Sequence, residues 1–436
     1  MSKAEKDLFS SKWGFILAAA GSAIGMGNIW LFPYRVAENG GFAFLFAYVV
    51  SAFGLGLIAL IGELALGRLT GKGPLGAFRK ALRLNGGHNK VGEFVGWVPI
   101  VVITIIGLGY TVVVSWTLRF LVGAITGSAF TSFASDQHFD LITRSNASLW
   151  IIITLFISGF TMVGGIEKGI EKVNKIMMTA FLVLFLMLAI RVAFLSGVVE
   201  GYKFLFALKW ESLFNARTWI LALGQSFYSL STFGSIMLVY GSYARKKEDI
   251  IYSSKSVVVL STLASVVSSM VIIPAVFSFG KALDSGTSLM FITMPDILKT
   301  IPLGQVCMVV FFTAVFFAAI TSLISVLEVA VESLQNKLKM SRLSSVALTV
   351  VVVSIFSILT NGHIDEFMDM LQIHFVPFCA LLSAVFTFWI VPSKRLIDEL
   401  QKGRSKKVSK WIIPMGKYVF CSFVIIVYVI NILHIM

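Results

Sequence analysis

Eleven long, mainly apolar stretches follow one another along the chain, near residues 13–36, 41–67, 91–123, 148–164, 175–195, 216–243, 251–280, 304–333, 343–361, 367–392 and 411–433. A helix crossing the hydrocarbon core of a bilayer needs about 20 such residues. The pattern therefore predicts an all-α, polytopic membrane protein with 11 transmembrane helices. Residues 1–12 precede the first stretch as a short cytoplasmic N-terminal segment carrying Lys3, Lys6 and Lys12, and no small-residue cleavage site follows. The first stretch reads as a retained span and not as a signal peptide.

Composition agrees. Of 436 residues, 57% are hydrophobic and 13% charged, against about 25% charged in soluble domains, and the mean hydropathy is +0.89. Lipid is thus the expected solvent. The net charge of +14 raises nucleic acid as a partner, but the placement of the basic residues removes it. Of the 36 Lys and Arg, 26 fall at 1–12, 68–90, 165–175, 244–255, 335–342 and 393–410, which alternate with the poorly basic connections at 124–147, 196–215, 281–303 and 362–366. This positive-inside asymmetry puts the N-terminus in the cytoplasm and, with an odd number of spans, Met436 outside. Cys307, Cys379 and Cys421 sit in three different spans without metal-ligand spacing and read as packing residues.

Two stretches are polar at mid-depth. The first contains Gly21-Ser-Ala-Ile-Gly-Met-Gly-Asn28 and the sixth Gly224-Gln-Ser-Phe-Tyr-Ser-Leu-Ser-Thr-Phe-Gly-Ser235. Backbone groups freed by unwinding cannot face lipid, so such breaks persist only where they are buried or line a cavity. Close helix packing through small residues accounts for the glycines, but not for Asn28, Gln225, Ser229 and Ser231. One broken span in each half points to an inverted repeat with its binding site between the breaks. Residues 13–195 form the first repeat of five spans, 216–392 the second, and 411–433 an additional span, all in one integrated domain.

Gly25-Met-Gly-Asn-Ile-Trp-Leu-Phe-Pro-Tyr34, followed by Glu38-Asn-Gly-Gly41, resembles the signature of the neurotransmitter:sodium symporter family. The resemblance continues through Glu63-Leu-Ala-Leu-Gly-Arg68, Gly164-Gly-Ile-Glu-Lys168, Ile273-Pro-Ala-Val-Phe-Ser-Phe-Gly280 and Ala318-Ala-Ile-Thr-Ser322. It covers essentially the whole chain and looks like the family's bacterial eleven-helix subgroup, which implies a bacterial cell membrane. The resemblance also implies a 5+5 inverted repeat with unwound helices 1 and 6, and sodium-driven transport of a small molecule.

Carried over residue by residue, the resemblance implies two sodium ions. One would lie among the carbonyls of Gly21, Ile24 and Ala318 and the hydroxyls of Thr321 and Ser322. The other would meet the carbonyl of Ala23, the amide oxygen of Asn28, the carbonyl and hydroxyl of Ser229, and Ser261. A small hard cation wants several oxygens, and unwound turns supply carbonyls. Relatives carry Asn or Asp where Ser261 stands, and an acid in some where Ser265 stands; both are neutral here. An uncompensated charge at low dielectric is costly, so a chloride ion is expected, held by Tyr48, Gln225, Ser229, Ser261 and Ser265, which offer hydroxyl and amide donors.

The resemblance places an amino acid beside Asn28. Gly25 stands where monoamine carriers have an Asp, leaving room for a substrate carboxylate at the N–H groups of Met26 and Gly27, the hydroxyl of Tyr110 and the first sodium. The amine would meet carbonyls of Ala23, Tyr228 and Ser229 and the hydroxyl of Ser231. Ile106, Tyr228, Phe233, Gly234, Ser322 and Val326 would line the side-chain pocket. Gly234 in place of an aromatic residue, with the small Val326, leaves room for a large aromatic substrate such as tyrosine. The alternatives are a carrier of broader hydrophobic amino acids such as leucine, or a sensor or channel on the same scaffold.

The gates depart from the family pattern. Leu31 replaces an Arg that would face Asp369, and Arg35 is the remaining candidate partner. Lys6 and Asn336 stand for an Arg and Asp pair, Phe9 for a tryptophan, and Thr179 for a proline of the fifth helix. Glu63 and Arg68 read as structural charges within a span. The five histidines are scattered, and no motif for an enzyme is present. The partners implied are the amino acid and the bilayer; nothing in the sequence sets an oligomeric state.

Overall fold

The computed structural model describes residues 7–130, 135–280, 286–361 and 371–432. Its main helices, in chain order, are α1 (Lys12–Ala23), α2 (Gly27–Glu38), α3 (Phe42–Thr70), α4 (Asn89–Thr126), α5 (Ala147–Val163), α6 (Ile166–Ala193), α7 (Ala216–Ser229), α8 (Ile236–Ser242), α9 (Ile250–Ser278), α10 (Gly304–Leu338), α11 (Arg342–Thr360), α12 (Val376–Ile390), α13 (Ser393–Gln401) and α14 (Ile412–Val429). Among the described residues, seven of these (α3, α4, α6, α9, α10, α11 and α14) are long and apolar enough to cross a membrane unbroken, while α5 is apolar but shorter. Helices α1 and α2 form one span bent by 63°. The sixth apolar stretch gives α7 and α8, separated at residues 230–235.

Four helices begin on side-chain caps: Ser11, Asn215, Asp249 and Ser341 each accept from a backbone N–H of the first turn. Such caps satisfy donors that have no partner within the helix. The helices pack without intervening side chains where glycines allow. A Cβ on Gly67 would stand 2.0 Å from the Leu238 carbonyl, and one on Gly241 2.3 Å from that of Leu64, so α3 and α8 meet backbone to backbone. That contact fixes the inner half of the second broken span. Around the first, α1 packs against α6, α9 and α10, and α10 in turn against α4.

The outer helices turn large apolar side chains away from the protein. Phe156 and Phe160 of α5, Ile176 and Leu186 of α6 and Leu359 of α11 are all more than half exposed, an arrangement suited to lipid and costly in water. Two charged residues of α3 reach to distant elements. Arg68, at the end of α3, holds Glu399 of α13 at 2.7 Å with both side chains almost fully covered. Glu63 accepts the backbone N–H of Gly234 at 2.7 Å. Arg68 is thus in a buried ion pair, whereas the second Glu63 oxygen has no partner among the described residues.

Candidate functional site

The first break begins where Ile24 leaves the helical region (φ −85°, ψ 104°) after its N–H has bonded to Ala20. The carbonyls of residues 21–24 are then released from the ladder, and α10 faces them. Thr321 Oγ1 lies 3.1 Å from the Gly21 oxygen and 3.1 Å from that of Ala318. Ser322 Oγ lies 3.0, 3.2 and 3.1 Å from the carbonyls of Gly21, Ser22 and Ile24. The structure thus brings together all five oxygens of one predicted sodium set, plus Ser22, which sequence reasoning passed over. Two hydroxyl protons cannot satisfy so many carbonyls; a small hard cation can.

A second polar cluster joins the two breaks through α9. Asn28 Nδ2 lies 3.1 Å from Ser261 Oγ and 2.9 Å from Ser265 Oγ. Ser261 Oγ donates to the Ser229 carbonyl at 2.7 Å, and Gln225 Nε2 to the Gly27 carbonyl at 3.0 Å and Ser229 Oγ at 3.1 Å. Tyr48 OH stands 3.5 Å from Ser265 Oγ. All six side chains are buried, and Gln225 Oε1 has no partner. The expected chloride residues and part of the other sodium set share this cluster, and every member is neutral.

A cavity of about 50 Å3 opens beside both clusters. Of the predicted substrate residues, Ala23, Met26, Gly27, Ile106, Tyr110, Tyr228, Ser231, Phe233, Ser322 and Val326 line it. The Met26 N–H donates to Tyr110 OH at 3.4 Å, and Ser231, held at φ +51°, donates to the Ser22 carbonyl at 2.8 Å. A Cβ on Gly27 would strike the Tyr228 ring at 2.1 Å, and one on Gly25 would lie 2.9 Å from Ser322 Oγ. A side chain at Gly27 would have to displace the Tyr228 ring, whereas one at Gly25 would press on the Ser322 and Tyr110 hydroxyls.

Two predicted residues lie elsewhere. Ser229 belongs to the Gln225 and Ser261 cluster. Gly234 points its missing side chain at the Cys379 carbonyl, 2.5 Å from an ideal Cβ, with φ +75°. The room expected from Gly234 is therefore not in the cavity, where Phe233 supplies a ring. The break turns the chain so that residue 233, not 234, faces inward. Ile103, Ile236 and Val376 complete the walls and were missed. Ile103 could have been found, since it lies seven residues before Tyr110 on the same face of α4. Val376 had no signal.

At one end of the molecule Arg35 donates to the Leu221 carbonyl at 3.3 Å; its proposed partner Asp369 lies outside the described residues, as does Lys6. At the other end Phe9 is buried against Phe15, Tyr240 and Tyr243, and Asn336 donates to Glu332. Glu171 gathers the N–H of Ser10 and the hydroxyls of Ser10 and Ser11. Thr179 is exposed and bonds back to Lys175, while α6 begins with a π turn at Ile166–Glu171.

The family model of the sodium:neurotransmitter symporters matches residues 6–148 and 130–436. An uncharacterized sodium-dependent transporter of Methanocaldococcus jannaschii is 30% identical over 446 residues, 94% of this chain and 87% of the relative. Another, YhdH of Bacillus subtilis, is 29% identical over 425 residues, covering 92% of each chain. The crystal structure of MhsT in complex with L-phenylalanine is similar with a TM-score of 0.85 and 28% identity, covering 98% of this chain and 99% of that one.

Proposed function

Because the chain belongs to the sodium:neurotransmitter symporter family, we propose that it carries a large aromatic amino acid, tyrosine foremost, together with two sodium ions and a chloride ion. Membership makes it a multi-pass, sodium-dependent transporter and not an enzyme. The observation that carries the finer reading is the meeting of Gly21, Ile24, Ala318, Thr321 and Ser322 oxygens beside an apolar cavity.

The second sodium would sit between the breaks at Ala23, Asn28, Ser229 and Ser261, where it neutralises the substrate carboxylate. That carboxylate would lie at Met26, Gly27 and Tyr110, and the amine at the carbonyls of Ala23, Tyr228 and Ser229 and the hydroxyl of Ser231. Chloride at Tyr48, Gln225, Ser229, Ser261 and Ser265 supplies the negative charge that the neutral cluster lacks. The aromatic assignment is supported by the apolar walls Ile103, Ile106, Val326 and Val376 and by the L-phenylalanine complex of MhsT. A ring-bearing side chain would pack among these walls against the Tyr228 and Phe233 rings.

The working cycle is alternating access. The repeat at 13–195 rocks against that at 216–392 in a bacterial cell membrane, with the N-terminus cytoplasmic and the C-terminus outside. Occupied cation sites tie α1 to α10 and so couple ion binding to conformation.

Uptake into proteoliposomes, with sodium replaced by choline and chloride by gluconate in separate arms, tests the ion assignment. Loss of uptake is expected in both; undiminished uptake in gluconate overturns the chloride reading. Competition by each unlabelled amino acid tests the cargo, and alanine or glycine competing best overturns the aromatic reading. Counterflow of labelled against unlabelled substrate is expected of a carrier and absent from a sensor or channel.

A further inference from the structure

The connection between α13 and α14 is a folded loop. Gln401, the last residue of α13, holds three of its backbone groups: Nε2 donates to the Arg404 and Lys406 carbonyls at 3.0 and 3.2 Å, and Oε1 accepts the Val408 N–H at 3.1 Å. The wrapped loop is seated on the connection between α8 and α9. Gly403, at φ +72°, lets the two backbones meet, since a Cβ there would stand 2.3 Å from the Lys247 carbonyl oxygen. Arg404 pairs with Asp249 at 2.8 Å beside that contact.

This folding leaves one sign of charge at the surface. The acids of the region are taken up by arginines: Glu399 is buried with Arg68, Glu248 with Arg245, and Asp249 holds Arg404. Lys246, Lys247, Lys406, Lys407 and Lys410 are exposed, and among the described residues none of them forms an ion pair. Burial and the nearby charges of Lys72, Lys402 and Lys246, opposed by that of Glu399, hold the neighbouring Lys80 ammonium below its ordinary range. An anion placed here relieves a repulsion that the protein itself leaves standing.

Depth identifies the anion. Lys410 stands two residues before Ile412, where α14 begins, and Trp411 between them is 75% exposed. Trp389 of α12 and Tyr418 of α14, both exposed, meet edge to face, and the Lys417 ammonium lies 4.3 Å over the Trp389 ring. Exposed Trp and Tyr at the end of an apolar span mark the headgroup level of a bilayer, and a cluster of lysines at that level attracts anionic lipid.

We propose that the loop at 402–410, with Lys246 and Lys247 beside it, is a preformed binding surface for the headgroups of anionic phospholipids. Lys406, Lys407 and Lys410 meet the phosphate oxygens, Trp411 anchors the adjoining backbone at headgroup depth, and Gln401 fixes the loop that presents them. Order in the free loop reduces the freedom lost on binding. It also separates this surface from the other basic residues on the same side, which bias topology without forming a site.

The native cysteines are buried, so a fluorophore on S405C, an exposed position within the loop, reports the lipid next to it. The test compares energy transfer from this label to acyl-labelled phosphatidylglycerol and to acyl-labelled phosphatidylcholine, with the full-length protein in phosphatidylcholine nanodiscs. A preference for phosphatidylglycerol is expected. It should fall about fivefold for each lysine neutralised along the series K406Q, K406Q/K407Q and K406Q/K407Q/K410Q, the worth of one cation near an anionic surface. K90Q/K168Q/K172Q removes three exposed lysines elsewhere on the same side and should keep the preference. Q401A removes no charge and should weaken it severalfold; thermal melting of each variant reads folding separately. The proposal is overturned if wild type shows no preference, if K90Q/K168Q/K172Q loses as much as K406Q/K407Q/K410Q, or if Q401A keeps the wild-type preference. Tripolyphosphate added at constant ionic strength should leave transfer to phosphatidylglycerol unchanged. Displacement of the lipid by it would make the loop a site for a soluble polyanion and overturn the lipid assignment.

Discussion

The hydroxyl of Ser322 lies 3.0 Å from the carbonyl oxygen of Gly21, 301 residues earlier in the chain. The contact joins α10 to the unwound end of α1, and Thr321 makes a second at 3.1 Å. Ser322 also lines the central cavity, whereas Thr321 does not. The two hydroxyls can therefore be separated experimentally. T321V keeps the shape and removes one oxygen, and is expected to raise the sodium concentration for half-maximal substrate binding about tenfold to hundredfold, the usual loss when a metal site's shell is disturbed, while saturating sodium restores substrate affinity. S322A should weaken both sodium and substrate binding. Sodium titration of labelled substrate binding decides, and an unchanged sodium midpoint in T321V removes this oxygen from the ion site.

The proposed chloride dependence rests on the neutral serines beside Asn28. Ser261 and Ser265 sit 3.1 and 2.9 Å from Asn28 Nδ2 and are fully buried. S261D installs a carboxylate where a chloride would supply charge, so uptake by this variant is expected to persist in gluconate and to be no longer stimulated by chloride. Equal chloride stimulation in S261D and wild type would place the anion elsewhere. Q225A, which removes the amide that reaches both Gly27 and Ser229, should instead weaken the chloride response without abolishing the need for it.

The two breaks could be read directly from the sequence because glycines, Asn28, Gln225 and the serines stand where lipid would demand leucine. Which side chain faces inward after a break could not. Ser231 and Gly234 adopt positive φ, and such a turn defeats helical spacing, which is why Phe233 takes the place expected of the space at Gly234. Contacts between distant segments were equally hidden. The Arg68 and Glu399 pair spans 331 residues. Asp369 and Lys6, expected in the gates, lie outside the described residues, and the contacts that are visible there use Glu171 and Arg35.

Phe233 supplies a ring to the wall of the central cavity and to that of a second cavity lined also by Leu31, Arg35, Leu221 and Val427. F233A removes that ring and should shift competition toward larger substrates. Tryptophan is expected to gain about tenfold over leucine relative to wild type, since discrimination by apolar pocket size is worth factors of this order. Competition of labelled tyrosine by the two unlabelled amino acids measures the ratio. An unchanged ratio would mean that the size limit lies at Ile103, Ile106 or Val326.

Arg68 and Glu399 are both almost fully covered, and Arg68 also donates to the carbonyls of Glu248 and Glu399. Removing one partner of a buried pair leaves a charge uncompensated at a cost of about 3–5 kcal/mol. E399A is thus expected to lower the melting temperature of the purified protein clearly. The double variant R68M/E399L, which buries no charge, should melt above E399A. Equal melting of single and double variants would show that the charge left behind is hydrated and not trapped.

The N-terminal segment is held to α6 by two carboxylates, Asp7, which accepts the Ile166 N–H, and Glu171. Glu171 accepts the Ser10 N–H at 2.6 Å and the hydroxyls of Ser10 and Ser11 at 2.9 and 2.7 Å, and it is itself paired with Lys175 at 2.6 Å. Hydrogen bonds to a charged group are worth about 1.5–3 kcal/mol each, more than the roughly 0–1 kcal/mol of an exposed gate pair, so losing this carboxylate should matter more than the exchange at Lys6 and Asn336. E171A is expected to populate states in which α1 swings away from α6, α9 and α10. The three native cysteines are buried, so a cysteine introduced at Ala18, which is inaccessible in this structure, reports that opening against a low background. Its labelling by a maleimide should accelerate about tenfold in E171A, the effect of a shift of some 1.4 kcal/mol in a two-state equilibrium. Sodium bound as proposed, between Gly21 and Ile24 of the first break and α10, should slow it in both backgrounds. Labelling at the wild-type rate in E171A would show that the Phe9 cluster and the Asp7 and Arg245 contacts close this end without Glu171.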